Sequence, residues 1–337
     1  MSAPSDDPAG RSCLMRLAAI DLGTNTVHLL VGDVVPPSGL SARRWRLVHH
    51  DQVITRLGEG LWPAGVLRAS PMARTAQQVA SYVEQARALG ATRVRIVATS
   101  AVREATNGRE FAAALSARTG VALEIATGDE EARLTVVGVL DGLEPPRGRV
   151  TIFDIGGGST EYIVARDGVV AASVSLRLGV VRLTERFPFP GTVDSKRFRA
   201  LESSVLDQLR SELPAEIVSA SAQTLIGTAG TVTALAALDL DLRAYAPDRV
   251  QGHRLTRATV ERLRDRLGAL TLAERGRLPC LEPARADIIV PGIAIVLATM
   301  TILGASDLIV SDGGLREGLM SDSVARIAAD LGYPEDR

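Results

Sequence analysis

Cysteine is almost missing from this chain. Cys13 and Cys280 are the only two among 337 residues, and they lie far apart without ligand-type spacing. Neither a disulfide framework nor a zinc site is predicted, which favours a cytoplasmic protein. Lysine is scarcer still. Of 38 cationic side chains only Lys196 is a lysine, a bias we attribute to a GC-rich genome, so arginine must do any phosphate work. Charge of one sign is also lacking: 38 Lys and Arg against 39 Asp and Glu leave a net charge of -1. With no basic stripe, a general nucleic-acid binder or a polybasic membrane protein is excluded. No Gly-x-x-x-x-Gly-Lys-[Ser/Thr], Gly-x-Ser-x-Gly or His-Glu-x-x-His occurs, and His28, His49, His50 and His253 are too dispersed for a metal cluster. His28, inside an apolar stretch, reads as a core histidine.

Targeting and membrane signals are equally thin. Asp6 and Asp7 stand where a signal peptide would need positive charge, so Met1 to Gly10 reads as a frayed tail. Ile288 to Ser306 holds no charged residue and reaches the ~18 residues of a membrane span. Pro291-Gly292, Thr299 and Thr301 interrupt it, no Trp or Tyr flanks it, and Asp287 and Asp307 close its ends. A buried helix feeding a strand is expected instead.

What is present is a folding chain of 46% hydrophobic and 23% charged residues, long enough for two domains at ~150 residues each. Apolar runs of strand length (Leu17 to Ile20, Val94 to Ala98, Val150 to Phe153, Thr224 to Ile226, Leu308 to Val310) alternate with helix-like stretches such as Met72 to Leu89 and Thr259 to Leu270. That alternation predicts α/β layers. An internal echo sharpens the picture. Ala18-Ala19-Ile20-Asp21-Leu22-Gly23-Thr24-Asn25-Thr26 matches Thr151-Ile152-Phe153-Asp154-Ile155-Gly156-Gly157-Gly158-Ser159-Thr160, and each is followed by a second apolar strand, Val27 to Val31 or Tyr162 to Val164. Each copy reads as a β-hairpin with a glycine turn. Two such hairpins facing one another would grip a phosphate chain from both sides. Gly120 to Gly128 and Leu143-Glu144-Pro145-Pro146-Arg147-Gly148 mark a boundary between the copies.

Asp21 and Asp154 occupy equivalent positions, and hard carboxylate oxygens beside phosphate are the usual hold for Mg²⁺. Either alone reads as a turn cap; the pair favours a metal role. Glu161 is a further metal ligand or a surface glutamate. Gly227-Thr228-Ala229-Gly230-Thr231, ahead of a helix at Val232 to Leu238, and Ser311-Asp312-Gly313-Gly314-Leu315-Arg316-Glu317-Gly318 are further strand-to-helix turns. In Ala98-Thr99-Ser100-Ala101-Val102-Arg103-Glu104, Arg103 can fork two donors onto phosphate or pair with a nearby glutamate on a helix surface. Thr127-Gly128-Asp129-Glu130-Glu131-Ala132-Arg133-Leu134 begins a helix that Thr127 or Asp129 would cap. Capping alone accounts for those acids, whereas a hydrolase also needs a carboxylate that deprotonates water.

Ser100-Ala101-Val102-Arg103-Glu104-Ala105, Gly128 through Leu134, Asp154 through Glu161 and Ser311 through Gly318, in this order, together resemble the Ppx/GppA phosphatases. These are the exopolyphosphatase and guanosine pentaphosphate phosphohydrolase family of the sugar kinase, actin and heat-shock chaperone superfamily. The resemblance runs from about Leu17 to Met320. It implies an α/β protein with two ribonuclease-H-like domains around an interdomain cleft: residues 1–127 completed by a C-terminal helix at 308–337, and residues 128–307. It implies hydrolysis of the terminal phosphate of inorganic polyphosphate with Mg²⁺. Glu131 takes the place of the catalytic base, Arg103 of the phosphate-contacting arginine, and Asp154 and Glu161 of the metal-linked acids. The phosphate turns fall on Gly23, Thr24 and Asn25, on Gly156, Gly157, Gly158 and Ser159, and on Gly227, Thr228, Gly230 and Thr231. Longer members continue into helical C-terminal domains, whereas this sequence stops at Arg337, so short polyphosphates are expected; a homodimer is expected separately, and would extend the binding track across two subunits. The alternatives are a guanosine pentaphosphate phosphohydrolase, a non-catalytic sensor of guanosine tetraphosphate and pentaphosphate (the stringent-response nucleotides), or a phosphotransferase.

Overall fold

The computed structural model describes residues 15–35, 44–143, 148–219 and 224–330, with residues 328–330 described by their backbone alone. Cys13, the expected frayed tail and the prolines of the expected boundary lie outside the described residues. The chain forms two compact units, Met1–Asp141 with Leu315–Arg337, and Gly142–Gly314.

In the first unit, strands β1 (Met15–Leu22), β2 (Thr26–Val34), β3 (Trp45–Ile54), β4 (Arg93–Ala98) and β5 (Leu123–Ile125) form one sheet in the order β3-β2-β1-β4-β5. The first three are antiparallel neighbours, while β1, β4 and β5 run parallel. Strand β1 is apolar throughout its middle because both faces are covered. Ala18, Ile20 and Leu22 enter a core with Val79, Val83 and Phe111, whereas Leu17 and Ala19 point into a second core with Leu134, Leu319 and Met320.

The second unit repeats this plan. Its strands are β6 (Arg149–Ile155), β7 (Thr160–Arg166), β8 (Val169–Leu176), β9 (Leu225–Thr228), β10 (Arg254–Thr256) and β11 (Asp307–Val310), in the order β10-β11-β9-β6-β7-β8. From β8 inward, three antiparallel strands lead to a parallel trio, as in the first sheet, and β10 adds an antiparallel edge. The duplication expected from the echo is therefore a duplication of topology. Helix Ile289–Ile302 is buried from Ile289 to Met300 and feeds β11. Its 14 residues span roughly 21 Å at ~1.5 Å per residue, short of a ~30 Å hydrocarbon layer. Among the described residues no helix is long and apolar enough to cross a membrane.

The units divide at 141/142 and 314/315. Helix Gly128–Asp141 stays in the first unit because Leu134 joins the core built by Leu319, Met320 and Val324 of helix Leu315–Asp330. Strand β11 stays in the second because it pairs in parallel with β9.

Candidate active site

Each hairpin ends in the same closed turn. The Gly23 amide donates to the Thr26 carbonyl at 2.9 Å, and the Gly156 amide donates to the Ser159 carbonyl at 2.9 Å. The turn carbonyls are then tied back into the protein. Asn25 O accepts from the Thr55 and Arg56 amides, and Thr24 O from Gly58; Gly156 O and Gly157 O accept from Val180 and Val181. With the carbonyls occupied, the amides of Thr24, Asn25, Gly157 and Gly158 donate to no acceptor among the described residues. In each turn the two unspent backbone donors are of the kind that can receive an anion. Thr24 Oγ1 also meets Ser100 Oγ at 2.9 Å, joining this turn to the start of helix Ser100–Glu104.

That helix follows β4 directly and carries Arg103. Its Nη1 donates to the Ala126 carbonyl at 2.9 Å and to Glu131 Oε2 at 2.7 Å. Thr127 caps the helix that bears Glu131, its hydroxyl accepting from the Glu130 amide at 3.2 Å. Glu131 is 7% exposed, unlike an ordinary first-turn acid. Of the two expectations for Arg103, the structure shows the pairing with a glutamate, and that glutamate is Glu131.

In the second unit Asp154 and Glu161 are direct cross-strand partners of β6 and β7, so both carboxylates share one face of the sheet. Glu161 is 3% exposed and accepts from Ser175 Oγ at 2.7 Å, which overturns its reading as a surface glutamate. In the first unit the same register pairs Asp21 with His28. The first copy thus offers one acid where the second offers two. Asp21 Oδ1 is shut off from solvent with no hydrogen-bond donor. Desolvation pushes its pKa up to about 7, while Arg316 pulls it down and Glu317 pushes it further up.

The turn after β9 is strained and covered. Ala229 adopts φ +68°, a left-handed conformation unusual for a residue with a side chain. Thr228 Oγ1 donates to the Gly313 carbonyl at 2.8 Å, holding this turn to Ser311–Gly314. A Cβ on Gly230 would coincide with the guanidinium of Arg285. Arg285 is fixed by Glu282 at 3.1 Å and stands over the first turn of helix Ala229–Asp239, which supplies a cation to the group Gly227, Thr228, Gly230 and Thr231.

Over residues 39–327 the sequence matches the Ppx/GppA phosphatase family. A Mycobacterium tuberculosis protein named Exopolyphosphatase 2 is 35% identical over 318 residues, covering 91% of this chain and 98% of the relative. The crystal structure of the Aquifex aeolicus Ppx/GppA family member superposes with a TM-score of 0.76 at 31% identity, covering 93% of this chain and 98% of that one. A Cytophaga hutchinsonii structure at 24% identity, TM-score 0.83, shares the fold over 93% of this chain and 98% of its own. This chain belongs to the Ppx/GppA phosphatase family.

As a Ppx/GppA protein it contains residues suited to a divalent cation. Glu161 is buried and Asp154 half-buried on one sheet face; carboxylates placed opposite one another repel, and a divalent cation would offset that repulsion. Among the described residues no three or more His, Cys, Asp or Glu surround one point. A divalent cation held by Asp154 and Glu161 would therefore need further oxygen ligands from outside the chain. Sequence reasoning missed Arg285 and Ser175, which reach the site from distant segments and carry no local motif.

Proposed function

We propose that this Ppx/GppA protein is an exopolyphosphatase, removing the terminal phosphate of inorganic polyphosphate. The observation that carries the reading is the Arg103–Glu131 pair at 2.7 Å, with a buried carboxylate held by a guanidinium close to the Gly23–Thr26 turn through Ser100. In the reaction a water oxygen attacks the terminal phosphorus, its proton passes to the Glu131 carboxylate, and the P–O–P bridge breaks to leave the shortened chain. Arg103 orients Glu131 and presents guanidinium N–H groups to phosphate oxygens. The amides of Thr24, Asn25, Gly157 and Gly158, the Ser159 and Thr231 hydroxyls and the Gly227–Gly230 turn bind further phosphates, with Arg285 as an added cation. Asp154 and Glu161 would hold Mg²⁺, with Asp21 as a secondary acid; bound there, the ion would supply neutralisation of the polyanion and polarisation of its phosphoryl oxygens.

Exopolyphosphatases at 35% identity across nearly the whole chain support this choice of substrate. The test is free-phosphate release from a panel of triphosphate, short and long polyphosphate and guanosine pentaphosphate, with ADP added in one arm. Release from polyphosphate alone fits the proposal. Exclusive turnover of guanosine pentaphosphate, nucleotide binding without turnover, or ATP formation from ADP would replace it.

A further inference from the structure

Behind the Arg103–Glu131 pair lies a cluster of charges that the reaction does not use. Helix Leu315–Asp330 crosses helix Gly128–Asp141 at Gly318, where a Cβ would overlap the Leu134 carbonyl oxygen, so the two backbones touch. One turn later Asp322, whose side chain is 9% exposed, accepts from Arg95 Nη1 at 2.6 Å and Arg133 Nη2 at 2.7 Å. It also accepts from Arg326 Nε at 2.8 Å. Arg95 is further gripped at both ends by Glu124, at 2.8 and 2.7 Å, and Glu130 lies 3.8 Å from both Arg95 and Arg326. Three cations thus balance three anions, with the Asp322 carboxylate at the centre. Burial works against the charge on Asp322, but hydrogen bonds from Arg133 and Arg95 outweigh it and hold the carboxyl below its usual range.

The elements joined by this carboxylate are the two that carry the site. Arg95 sits on β4, which runs through Ala98 into the helix bearing Arg103; Arg133 is two residues beyond Glu131 on the same helix turn. We propose that Asp322 is a positioning residue that holds β4 and helix Gly128–Asp141 in the register that brings Arg103 and Glu131 together. The inference rests on the reading of Glu131 and Arg103 as reacting groups. Without the Asp322 charge, Arg95 and Arg133 face each other across the same gap with one anion fewer. Their repulsion pushes apart the supports of a contact that must hold within tenths of an ångström.

The experiment compares Asp322→Asn, Asp322→Glu and Glu131→Gln on polyphosphate, with kcat, KM and melting temperature measured separately. Misplacing a catalytic group by a fraction of an ångström predicts a kcat loss of about tenfold or more in Asp322→Asn, with KM within about threefold. Asp322→Glu, which restores the charge, should recover much of kcat. If Glu131→Gln retains full turnover, the reading of Glu131 fails and the inference falls with it. If Glu131→Gln is inactive while Asp322→Asn loses only melting temperature and keeps wild-type kcat, Asp322 is merely structural and the proposal alone is overturned. Should Asp322→Asn fail to fold, Arg133→Gln cuts the helix side of the same clamp at a half-exposed residue, and the same kcat criterion decides.

Discussion

Glu131 occupies the first turn of its helix, where an acid is favourable for the helix dipole alone, yet its side chain is nearly buried and bonded to Arg103 at 2.7 Å. A capping acid has no need of either feature. Glu131→Gln keeps the shape and removes the proton acceptor, so kcat should fall by ~10² or more with KM largely kept; unchanged kcat by phosphate release would contradict the role. Asp21 makes a different prediction. Its folded-state pKa, about 7, stands above the usual 3.8 because of burial, so folding is favoured while the group is neutral. That contribution is complete below the unfolded value and is lost as pH rises toward 7. In the metal-free protein, Asp21→Asn should therefore melt at progressively higher temperature relative to wild type as pH rises from 4 to 7, with the gap constant above. A gap that does not change with pH would show that Asp21 is normally ionised. The sequence made Asp21 and Asp154 visible as a pair because both stand before a glycine turn. It concealed their difference, because His28 and Glu161 become their partners only through strand register.

At the level of elements, the hairpin with its glycine turn was the most legible part of the molecule. Its signals lie within ten residues: apolar strand, acid, glycine, small polar residues, apolar strand. The placement of helix Gly128–Asp141 was not legible. Nothing in its own residues says which sheet it covers; that is decided by Leu134 meeting Leu319 and by the side-chain-free surface of Gly318, nearly two hundred residues away. Arg285 was hidden for the same reason, since only the fold brings it over Gly230. The β6–β7 hairpin carries its own prediction. With Asp154 and Glu161 opposite one another, Mg²⁺ should raise the melting temperature by binding the folded state alone. Asp154→Ala should remove that rise and increase the Mg²⁺ concentration for half-maximal rate. A variant with the wild-type thermal response to Mg²⁺ would remove Asp154 from the metal.

For the molecule as a whole, the net charge of -1 bears on how a long substrate is handled. A polymer of tens of phosphates stays bound between cleavages only if cations beyond the reacting group continue to hold it, each adding an attraction that salt weakens. Arginine is the cation available here, and many described arginines are already committed to carboxylates: Arg16 and Arg46 to Asp33, Arg95, Arg133 and Arg326 to Asp322, Arg254 to Asp307. Diverting them to a polyanion would mean breaking ion pairs that hold elements together. The expected outcome is release of the shortened chain after each cleavage, with short polyphosphates preferred and guanosine pentaphosphate turned over weakly. Digesting a uniform long polyphosphate and resolving the products on gels reads this out directly. A population that shortens gradually fits one cleavage per encounter. Full-length polymer persisting beside fully degraded product would mean that the chain is held throughout, by a cationic track built from arginines other than those paired above.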